Sequence, residues 1–485
     1  MPSSDHTSSS GTTIIFWFRR DLRTSDNSGF AAATADATRV VPVFVFDRNF
    51  LDDLTDQHDR RVSFIHESVK ELRARLRGHG SNLIVLHGDP LQAIPELAEA
   101  FDADAVYTNR DYEPYAKLRD DAVARALAKQ GRNLRSFKDQ VIFEGKEVEK
   151  ADGEPYRVFT PYKKAWLRRI EEEEFYGSPP DMPHVADLSR LAPASHMQGY
   201  GDPWSLKDLG FKESELWLTP GEAAALERLA DFIPRMARYK EERDFPQRNV
   251  TSGLSVHLRF GTISVRECVR AARAVRSEGA ATWLSELIWR EFYQMILDRY
   301  PFIVNHAFQQ QYDRIAWPGS DAHFEAWCEG RTGYPIVDAA MRHFNATGWM
   351  HNRLRMIVAM FLTKDLLVDW RRGAEYFAAG LLDFELASNN GGWQWSASTG
   401  VDAAPYFRIF NPVLQSRKFD AEGAYIRTWV PELRAFDSRD IHWPADADML
   451  AQREAGCILG EDYPFPIVDH AEQKERAIAL FASQD

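Results

Sequence analysis

The chain has 485 residues, roughly three times the ~150-residue size of an average domain, so we expect two or more domains. Its hydrophobic content of 44% predicts a large core, and its net charge of −13 excludes a protein that coats polyanions over its whole surface. Three scattered cysteines without a CxxC pair exclude a zinc ribbon or an iron–sulfur cluster, so no metal site is predicted and a reduced, cytoplasmic setting fits.

The first part of the chain has the pattern of an α/β domain. Residues 1–10 are rich in Ser and Thr and predict a disordered tail, and no apolar run approaches the ~18 residues of a membrane span. Over residues 11–140, apolar runs alternate with amphipathic stretches, which predicts a doubly wound parallel five-stranded sheet. The predicted strands are Thr12–Phe18, Val40–Phe46, Asn82–Leu86, Ala105–Thr108 and Asn133–Phe137; the predicted helices are Ser28–Ala37, Arg60–Arg77, Leu91–Ala100 and Tyr115–Lys129.

Three arginines follow the first predicted strand, at the edge where such sheets bind ligands. Arg19, Arg20 and Arg23 could form an anion site or could be salt-bridged turn residues, and the second alternative is favoured. No GxGxxG motif follows the strand, so the dinucleotide-binding fingerprint is missing.

Residues 141–215 lose this periodicity and carry scattered prolines, which predicts a long interdomain linker over the surface. Within the linker, Tyr156–Trp166 is aromatic and basic and is expected to pack onto a domain. Helical periodicity then continues to the end of the chain, so residues 216–485 are predicted to form an all-α domain.

Several segments of the helical part carry chemistry. Thr251–Ser255 offers three hydroxyl groups and a glycine before a helix, which suits either a phosphate or ordinary capping. Glu286 could form an ion pair with Arg290 at i,i+4. Alternatively, it could hydrogen-bond the edge of a nucleobase that stacks on the neighbouring Trp289 ring. Residues 331–372 hold seven Lys or Arg against three Asp, which indicates an anionic partner or a solvated helix face.

The segment Trp349–Lys364 is predicted as one helix with a buried stripe. Asn352 and Met356 lie opposite that stripe, between Arg353 and Arg355, and so indicate either a polar cavity or ordinary surface. The residues of the stripe are Met350, Leu354, Ile357, Val358 and Phe361.

The stretch Asp383–Pro412 does not resemble ordinary helical core, because polar groups and large aromatics alternate without a helical stripe. The run Asn389–Gly392 predicts a backbone break where another group comes close. On a helical turn, Trp393 and Trp395 would project about 200° apart and could not share one partner. A planar ligand beside one and an aromatic cavity beside the other would explain both, as would a Trp-rich core loop.

Blocks of sequence in a fixed order resemble the photolyase/cryptochrome flavoprotein family, most of all its class I members, from Thr12 to Ile467. The blocks are WFRRDLR at 17–23, RDFP at 243–246, TSGLS at 251–255, ELIWREF at 286–292, GYPIVDAAMR at 333–342, GWMHNRLRM at 348–356, and the stretch Asp383–Pro412.

The resemblance implies two chromophores: an antenna in the first domain and FAD, bent into a U shape, at the bottom of a cavity in the helical domain. Arg355 and Asp383 would form a buried ion pair beside the isoalloxazine ring, and Asn389 would face flavin N5. The implied FAD-binding residues are Tyr239, Thr251, Ser252, Leu254, Ser255, Trp283, Arg290, Arg355, Asp383, Glu385 and Asn389.

The resemblance also implies light-driven DNA repair by a monomer. Excited FADH⁻ would pass an electron to a cyclobutane pyrimidine dimer flipped out of UV-damaged DNA; the ring would split and the electron return. Trp393, Trp370 and Trp317 would relay electrons to the flavin. The implied pocket for the dimer comprises Glu286, Trp289, Asn352, Met356 and Trp395, and the implied DNA contacts are Arg243, Arg353, Arg408 and Gln415.

Departures from the family pattern bear on the details. Asn352 and Met356 stand where six-four members carry His, which favours cyclobutane dimers. Position 253 is Gly, where Arg is frequent in the family, and position 385 is Glu, where the family has Asp. Tyr112-Glu113 lacks the Asn-Glu of the folate-binding subfamily, which favours 8-hydroxy-5-deazaflavin over methenyltetrahydrofolate; another flavin or an empty site remains open.

Three rival hypotheses remain. They are a cryptochrome-type blue-light sensor without repair, a six-four photolyase, and a nucleotide-binding α/β protein with a helical interaction domain.

Overall fold

The computed structural model describes residues 11–175, 183–248 and 250–484, so the predicted tail 1–10 lies outside the described residues. The chain divides into two compact units. The first comprises the chain up to Glu144 with Ile170–Ala230 and Leu254–Ala271; the second comprises Gly145–Arg169, Asp231–Gly253 and the chain from Ala272 onward. The domain boundaries expected from the sequence stay a prediction.

The first unit is built on a parallel sheet. Its strands are β1 Thr13–Phe18, β2 Arg39–Asp47, β3 Ile84–Gly88, β4 Ala105–Asn109 and β5 Asn133–Phe137. They lie in the order β3-β2-β1-β4-β5, and every pairing is parallel. The order reverses at β1, which confirms the predicted doubly wound sheet. β1 and the interior of β2 are buried along their length, as expected of continuous apolar runs in a parallel sheet.

Helices make up most of the rest of the described chain. The α-helices are α1 Ser28–Asp36, α2 Arg48–Leu51, α3 Arg60–Gly78, α4 Pro90–Ala100, α5 Pro114–Lys129, α6 Phe159–Phe175, α7 Glu222–Phe232, α8 Tyr239–Glu242, α9 Ser255–Phe260, α10 Val265–Ala274, α11 Glu278–Arg299, α12 Asp321–Glu329, α13 Pro335–Thr347, α14 Asn352–Met360, α15 Trp370–Gly380, α16 Leu386–Ala397, α17 Pro412–Phe419, α18 Ala424–Trp429, α19 Met449–Ala455 and α20 His470–Ala482. The 3-10 turns are Leu188–Arg190, Ala194–Met197, Ile233–Arg238, Pro301–Val304, Gln310–Arg314, Pro431–Leu433, Asp440–His442 and Pro444–Asp446. None of the helices in the described residues is long and apolar enough to cross a membrane.

The arginines after β1 are salt-bridged turn residues. The pairs are Arg19 with Asp120, Arg20 with Glu113 and Arg23 with Asp139. Arg266 also binds Asp139, at 2.7 Å, so one buried carboxylate holds two guanidinium groups. Burial raises the pKa of Asp139, but the two arginines outweigh it and hold that pKa well below its usual range. The structure therefore favours the ion-pair alternative over an anion site.

The second unit is helical, with one large buried cluster. The stripe predicted on Trp349–Lys364 is buried, but the helix begins only at Asn352, because His351 caps it. It then turns π-helical at Phe361–Asp365. Trp370 and Trp393 lie inside this cluster, and Trp317 packs against it.

The predicted break at Asn389–Gly392 is wrong, because α16 runs uninterrupted through these residues. Packing overrides the poor helix propensity of two glycines. A Cβ atom on Gly391 would lie 2.2 Å from the Tyr293 ring, so α11 and α16 approach each other as closely as a bare backbone allows. A Cβ on Gly392 would meet no atom within 4 Å. The predicted close approach exists, but between two helices.

Candidate cofactor and nucleic-acid site

One side of α16 is left uncovered by the second unit. Ser388, Asn389 and Trp395 are half-buried and Gly392 is exposed, whereas Trp393 is 3% exposed. The two tryptophans therefore project to opposite sides of the helix, as their spacing predicts. Bare backbone at Gly392 beside an amide and an indole can receive a planar ring, so these residues fit the predicted flavin.

Trp393 belongs to the core side of α16. Its ring lies 6.0 Å from that of Trp327 and 5.1 Å from that of Phe377, both nearly perpendicular. A Cβ on Gly373 would lie 2.2 Å from the Trp393 indole, so α15 is pressed against it. Trp370 is also fully buried, while Trp317 is half-buried. The three predicted electron carriers thus share one aromatic core, whose outermost member is Trp317.

Two acids at the start of α16 hold arginines from neighbouring helices. Arg355 Nη2 lies 2.8 Å from Asp383 Oδ2, and the Asp383 side chain is 4% exposed, so the predicted ion pair is present. Arg290 Nη2 lies 2.8 Å from Glu385 Oε1, with both side chains largely buried. Ser388, on the uncovered side of α16, also donates its hydroxyl to Glu385, at 2.9 Å. The place of both pairs beside a flavin stays a prediction.

Glu286 forms its ion pair with a residue outside α11 rather than with Arg290 at the i,i+4 position. Glu286 accepts a hydrogen bond from Arg243, whose guanidinium also lies over the Tyr239 ring at 5.2 Å. The Glu286 side chain stays 32% exposed. Arg243, which is predicted to contact DNA, therefore orients the carboxylate of Glu286, which is predicted to contact the dimer.

Trp289 has one face covered. The Phe159 ring stacks on it with centroids 3.7 Å apart and planes 10° apart. No role was predicted for Phe159, and the only signal for it was the aromatic character of Tyr156–Trp166. The expectation that this segment packs onto a domain is confirmed, because Phe159 and Trp166 contact Trp289 and Glu291 of α11 within the second unit.

The outer side of α14 carries Asn352 and Met356, the two residues predicted to line the dimer pocket. Asn352 Nδ2 lies 3.8 Å from Met356 Sδ, and both side chains face away from the buried stripe. Arg353 donates to Asp244 at 2.8 Å and lies over the Phe419 ring. The helix is therefore amphipathic as predicted, with polar groups available on its outer side.

The remaining predicted residues are dispersed. Trp283 is buried against Phe232, 5.0 Å away. Thr251 and Ser252 are half-buried in the second unit, followed by Gly253 at a left-handed φ of 62°. The others are Tyr239, buried; Leu254 and Ser255, assigned to the first unit; Arg408, exposed; and Gln415, whose Oε1 is buried without a hydrogen-bond partner. Leu254 is the N-cap residue of α9 and makes no side-chain capping hydrogen bond. The choice between a phosphate site and ordinary capping at Thr251–Ser255 stays open.

The charge excess over residues 331–372 is compensated by other segments. Its arginines pair with carboxylates, and Lys364 is buried, donating to the Ala397 carbonyl at 3.1 Å. The pairs are Arg331–Glu329, Arg342–Glu432, Arg353–Asp244, Arg355–Asp383, Arg371–Asp313 and Arg372–Asp321. The charge count therefore overestimates the local positive charge.

Lowering the pH is expected to weaken α14 through its cap. His351 Nδ1 accepts from the Arg353 N–H at 3.1 Å, and burial lowers the pKa of His351 to about 4. An unfolded imidazole takes its proton near pH 6.5, so the unfolded state binds more protons between pH 6.5 and 4. Stability should therefore fall as pH decreases across this window, by roughly 1 kcal/mol per pH unit for this group.

The variant His351→Asn keeps a good cap and loses the titration. Urea unfolding at pH 7.5 and pH 5.0 should show a smaller pH effect in this variant than in the parent protein. An unchanged pH effect would contradict the role of His351.

Two family models match the chain. One, described as DNA photolyase, matches residues 14–184; the other, the FAD binding domain of DNA photolyase, matches residues 283–483. A deoxyribodipyrimidine photo-lyase of Synechococcus sp. is 41% identical over 480 residues, covering 96% of this chain and 96% of the relative.

Solved structures agree with these matches. A bacterial class III photolyase from Agrobacterium tumefaciens has a TM-score of 0.88 at 36% identity, covering 99% of each chain. An archaeal photolyase from Sulfolobus tokodaii, solved with two FAD molecules, gives 0.81 at 32%, covering 97% of this chain and 100% of that one. The cryptochrome of Synechocystis sp. PCC6803 gives 0.87 at 28%, covering 97% and 99%. The chain therefore belongs to the photolyase/cryptochrome family, and its helical part contains the family's FAD-binding domain.

Proposed function

We propose that this protein is a deoxyribodipyrimidine photo-lyase, which uses blue light to split cyclobutane pyrimidine dimers in DNA. The observation that carries the proposal is the arrangement around α16, which packs against both α11 and α14. These helices present Trp395, Trp289 with Glu286, and the Asn352–Met356 pair, none of them fully buried. Two indoles, an acid and an amide are the groups needed to stack and hydrogen-bond a flipped base.

FAD is the cofactor, and when reduced and excited by light it supplies the electron that opens the cyclobutane ring. The chain's own residues hold and orient it. Tyr239, Thr251, Ser252, Leu254 and Ser255 would bind its phosphates and ribityl, and Trp283 would be among the residues that surround it. The pairs Arg355–Asp383 and Arg290–Glu385 would lie beside the ring, and Asn389 would face N5. Asn389 donates Nδ2 to the Ala374 carbonyl at 3.1 Å, which fixes the orientation of its amide.

The dimer is held by stacking and hydrogen bonding. Trp289 and Trp395 form the apolar walls of the pocket, and Asn352 and Met356 line it. Glu286, oriented by Arg243, accepts a hydrogen bond from a base or donates one to a thymine carbonyl when protonated. Arg243, Arg353, Arg408 and Gln415 contact the DNA backbone around the opening, where phosphate contacts give position rather than sequence.

The aromatic core of the second unit serves reduction rather than repair. Trp393, Trp370 and Trp317 would relay an electron inward to an oxidised flavin. Burial supports Trp317 as the outermost member, since it is half-buried and the other two are enclosed. The residues that hold the dimer for repair are therefore different from the tryptophans that reduce the flavin.

An antenna chromophore would be held in the first unit, at the carboxyl edge of its sheet. Tyr115 donates its hydroxyl to Asp47 at 2.7 Å there, and large apolar side chains are exposed after β2 and β3: Phe50 at 41% and Leu91 at 41%. Such residues suit a flat aromatic ligand at the edge where parallel sheets bind ligands. We favour 8-hydroxy-5-deazaflavin over methenyltetrahydrofolate, and the second FAD of the Sulfolobus relative supports a flavin-like group.

The remaining assignments follow the same proposal. Residues 11–140 form the antenna domain, 141–215 the linker and 216–485 the FAD- and DNA-binding domain. The protein acts as a cytoplasmic monomer on UV-damaged DNA, with class I rather than class III character. Asn352 and Met356 argue against six-four lesions.

The test is to mix reduced protein with dimer-containing DNA under blue light and in darkness, and to count the remaining dimers. We expect dimers to disappear only under light, while a six-four photoproduct in a parallel sample persists. No light-dependent loss of dimers would overturn the repair function and leave the sensor alternative, which the Synechocystis cryptochrome structure represents.

A further inference from the structure

Phe159, the first residue of α6, lies flat against one face of Trp289. The centroids are 3.7 Å apart and the planes 10° apart, and Phe159 is 8% exposed. Phe292 meets the same indole from its edge, 5.6 Å away at 82°. Tyr293 lies beside the indole as well, 5.4 Å away at 37°. Phe159 therefore occupies one face of an indole that is only half-buried, and a base would use the part of its surface that these rings leave exposed.

The helix that carries Phe159 is anchored to α11. Phe159, Tyr162 and Trp166 follow at intervals of three and four residues and so share one face of α6. Trp166 donates its Nε1–H to Glu291 at 2.6 Å, and the Tyr162 ring lies 5.2 Å from that of Phe292. Phe159 cannot leave Trp289 unless the start of α6 moves.

The start of α6 is held by the loop that follows α16. Asp402 Oδ2 accepts the Phe159 N–H at 3.0 Å, which places a negative charge at the helix N-terminus. Asp402 has a φ of 46°, in the left-handed region that disfavours a side chain, so this conformation persists only because its surroundings hold it. In the same loop, the Ala404 N–H donates to the Trp395 carbonyl at 3.2 Å. One short loop thus connects the backbone of Trp395 to the residue behind Trp289.

From these contacts we infer that Phe159 and Asp402 are positioning residues for the lesion pocket. They fix the plane of Trp289 relative to Trp395, so that a flipped base enters between indoles that are already aligned. Neither residue touches the substrate. The inference rests on the proposed function, because it assumes that the two indoles stack on a pyrimidine dimer.

The test compares binding to dimer-containing DNA with binding to undamaged DNA of the same sequence. Phe159→Ala should weaken dimer binding about tenfold, since the indole loses the ring stacked on it and is held less firmly in one plane, and leave undamaged-DNA binding unchanged. KM for repair should rise by about the same factor, while the rate at saturating DNA stays within about twofold. Phe159→Tyr keeps the stacked ring and should restore affinity.

A matched control is Phe302→Ala, which truncates a phenylalanine stacked on Phe308 elsewhere in the unit. It should bind both DNAs as the parent protein does. FAD content and the thermal midpoint report folding; if Phe159→Ala does not fold, Asp402→Ala provides the test, because it leaves the ring but frees its backbone.

Three outcomes would overturn the inference: unchanged dimer affinity in a folded variant, an equal loss for both DNAs, or failure of Phe159→Tyr to restore binding. Failure of the proposed function would look different. The parent protein itself would then show no preference for dimer-containing DNA and no light-dependent loss of dimers, and the inference would fall with it.

Discussion

Replacing Trp317 by phenylalanine is expected to slow light-driven reduction of the bound flavin about a hundredfold, while chemically reduced protein repairs dimers within about twofold of the parent rate. Trp317 is the half-buried member of the predicted relay and packs at the edge of the core that encloses Trp370 and Trp393. A phenylalanine keeps an aromatic ring beside Phe481, 5.9 Å from Trp317, but gives up electrons far less readily than indole. The relay would lose its outer donor, and the repair pocket would be untouched.

The measurement is the bleaching of oxidised flavin under blue light with an external reductant, followed separately by repair with dithionite-reduced protein. Trp429→Phe is the matched control: Trp429 is half-buried in the same unit, stacks on His343 at 4.1 Å and has no assigned place in the relay. The flavin of this variant should be photoreduced at the same rate as in the parent protein. Equal losses of photoreduction and repair in Trp317→Phe would refute the division between the two sets of residues.

Replacing Arg355 by alanine is expected to lower the free energy of unfolding by about 3 kcal/mol and to reduce the FAD content of the purified protein. The cause is the carboxylate left behind, since the Asp383 side chain is 4% exposed and its partner lies 2.8 Å away. A buried charge without its counterion costs far more than the pair gained by forming. Denaturant unfolding and flavin absorbance measure the two effects.

The double variant Arg355→Ala/Asp383→Ala should recover part of the stability, because the orphaned charge is gone. Arg331→Ala serves as the control, since its pair with Glu329 is exposed on both sides and should contribute at most about 1 kcal/mol. A loss no larger than that of the control would show that Asp383 finds solvent or another donor without Arg355.

The sheet and the amphipathic helices were predictable because their signals are local. Continuous apolar runs predict β1 and β2 nearly to the residue, and the apolar stripe on α14 predicts which side of that helix is buried. The 200° between Trp393 and Trp395 likewise needs only the helical repeat. Patterns of this kind depend on neighbours within two turns.

Features that depend on residues far apart in the chain could not be predicted from the sequence. Two asparagines and two glycines predicted a break in α16, yet the contact of Gly391 with Tyr293, almost a hundred positions away, keeps the helix intact. The charge count over residues 331–372 missed Asp244, Asp383 and Glu432, which belong to other segments. Phe159 was missed for the same reason, because nothing near it in the chain points to Trp289.

The adjacent glycines of α16 have consequences for how this sequence can change over evolution. The smallest substitution at Gly391 adds a methyl group, which would force α11 and α16 apart, so the distance between the helices that carry Trp289 and Trp395 cannot drift by small steps. Gly392 meets no such obstacle from the protein, and a side chain there would instead occupy the space proposed for the flavin. Selection would therefore act on neighbouring positions for different reasons, preserving the packing of two helices at Gly391 and the proposed cofactor-facing side of α16 at Gly392.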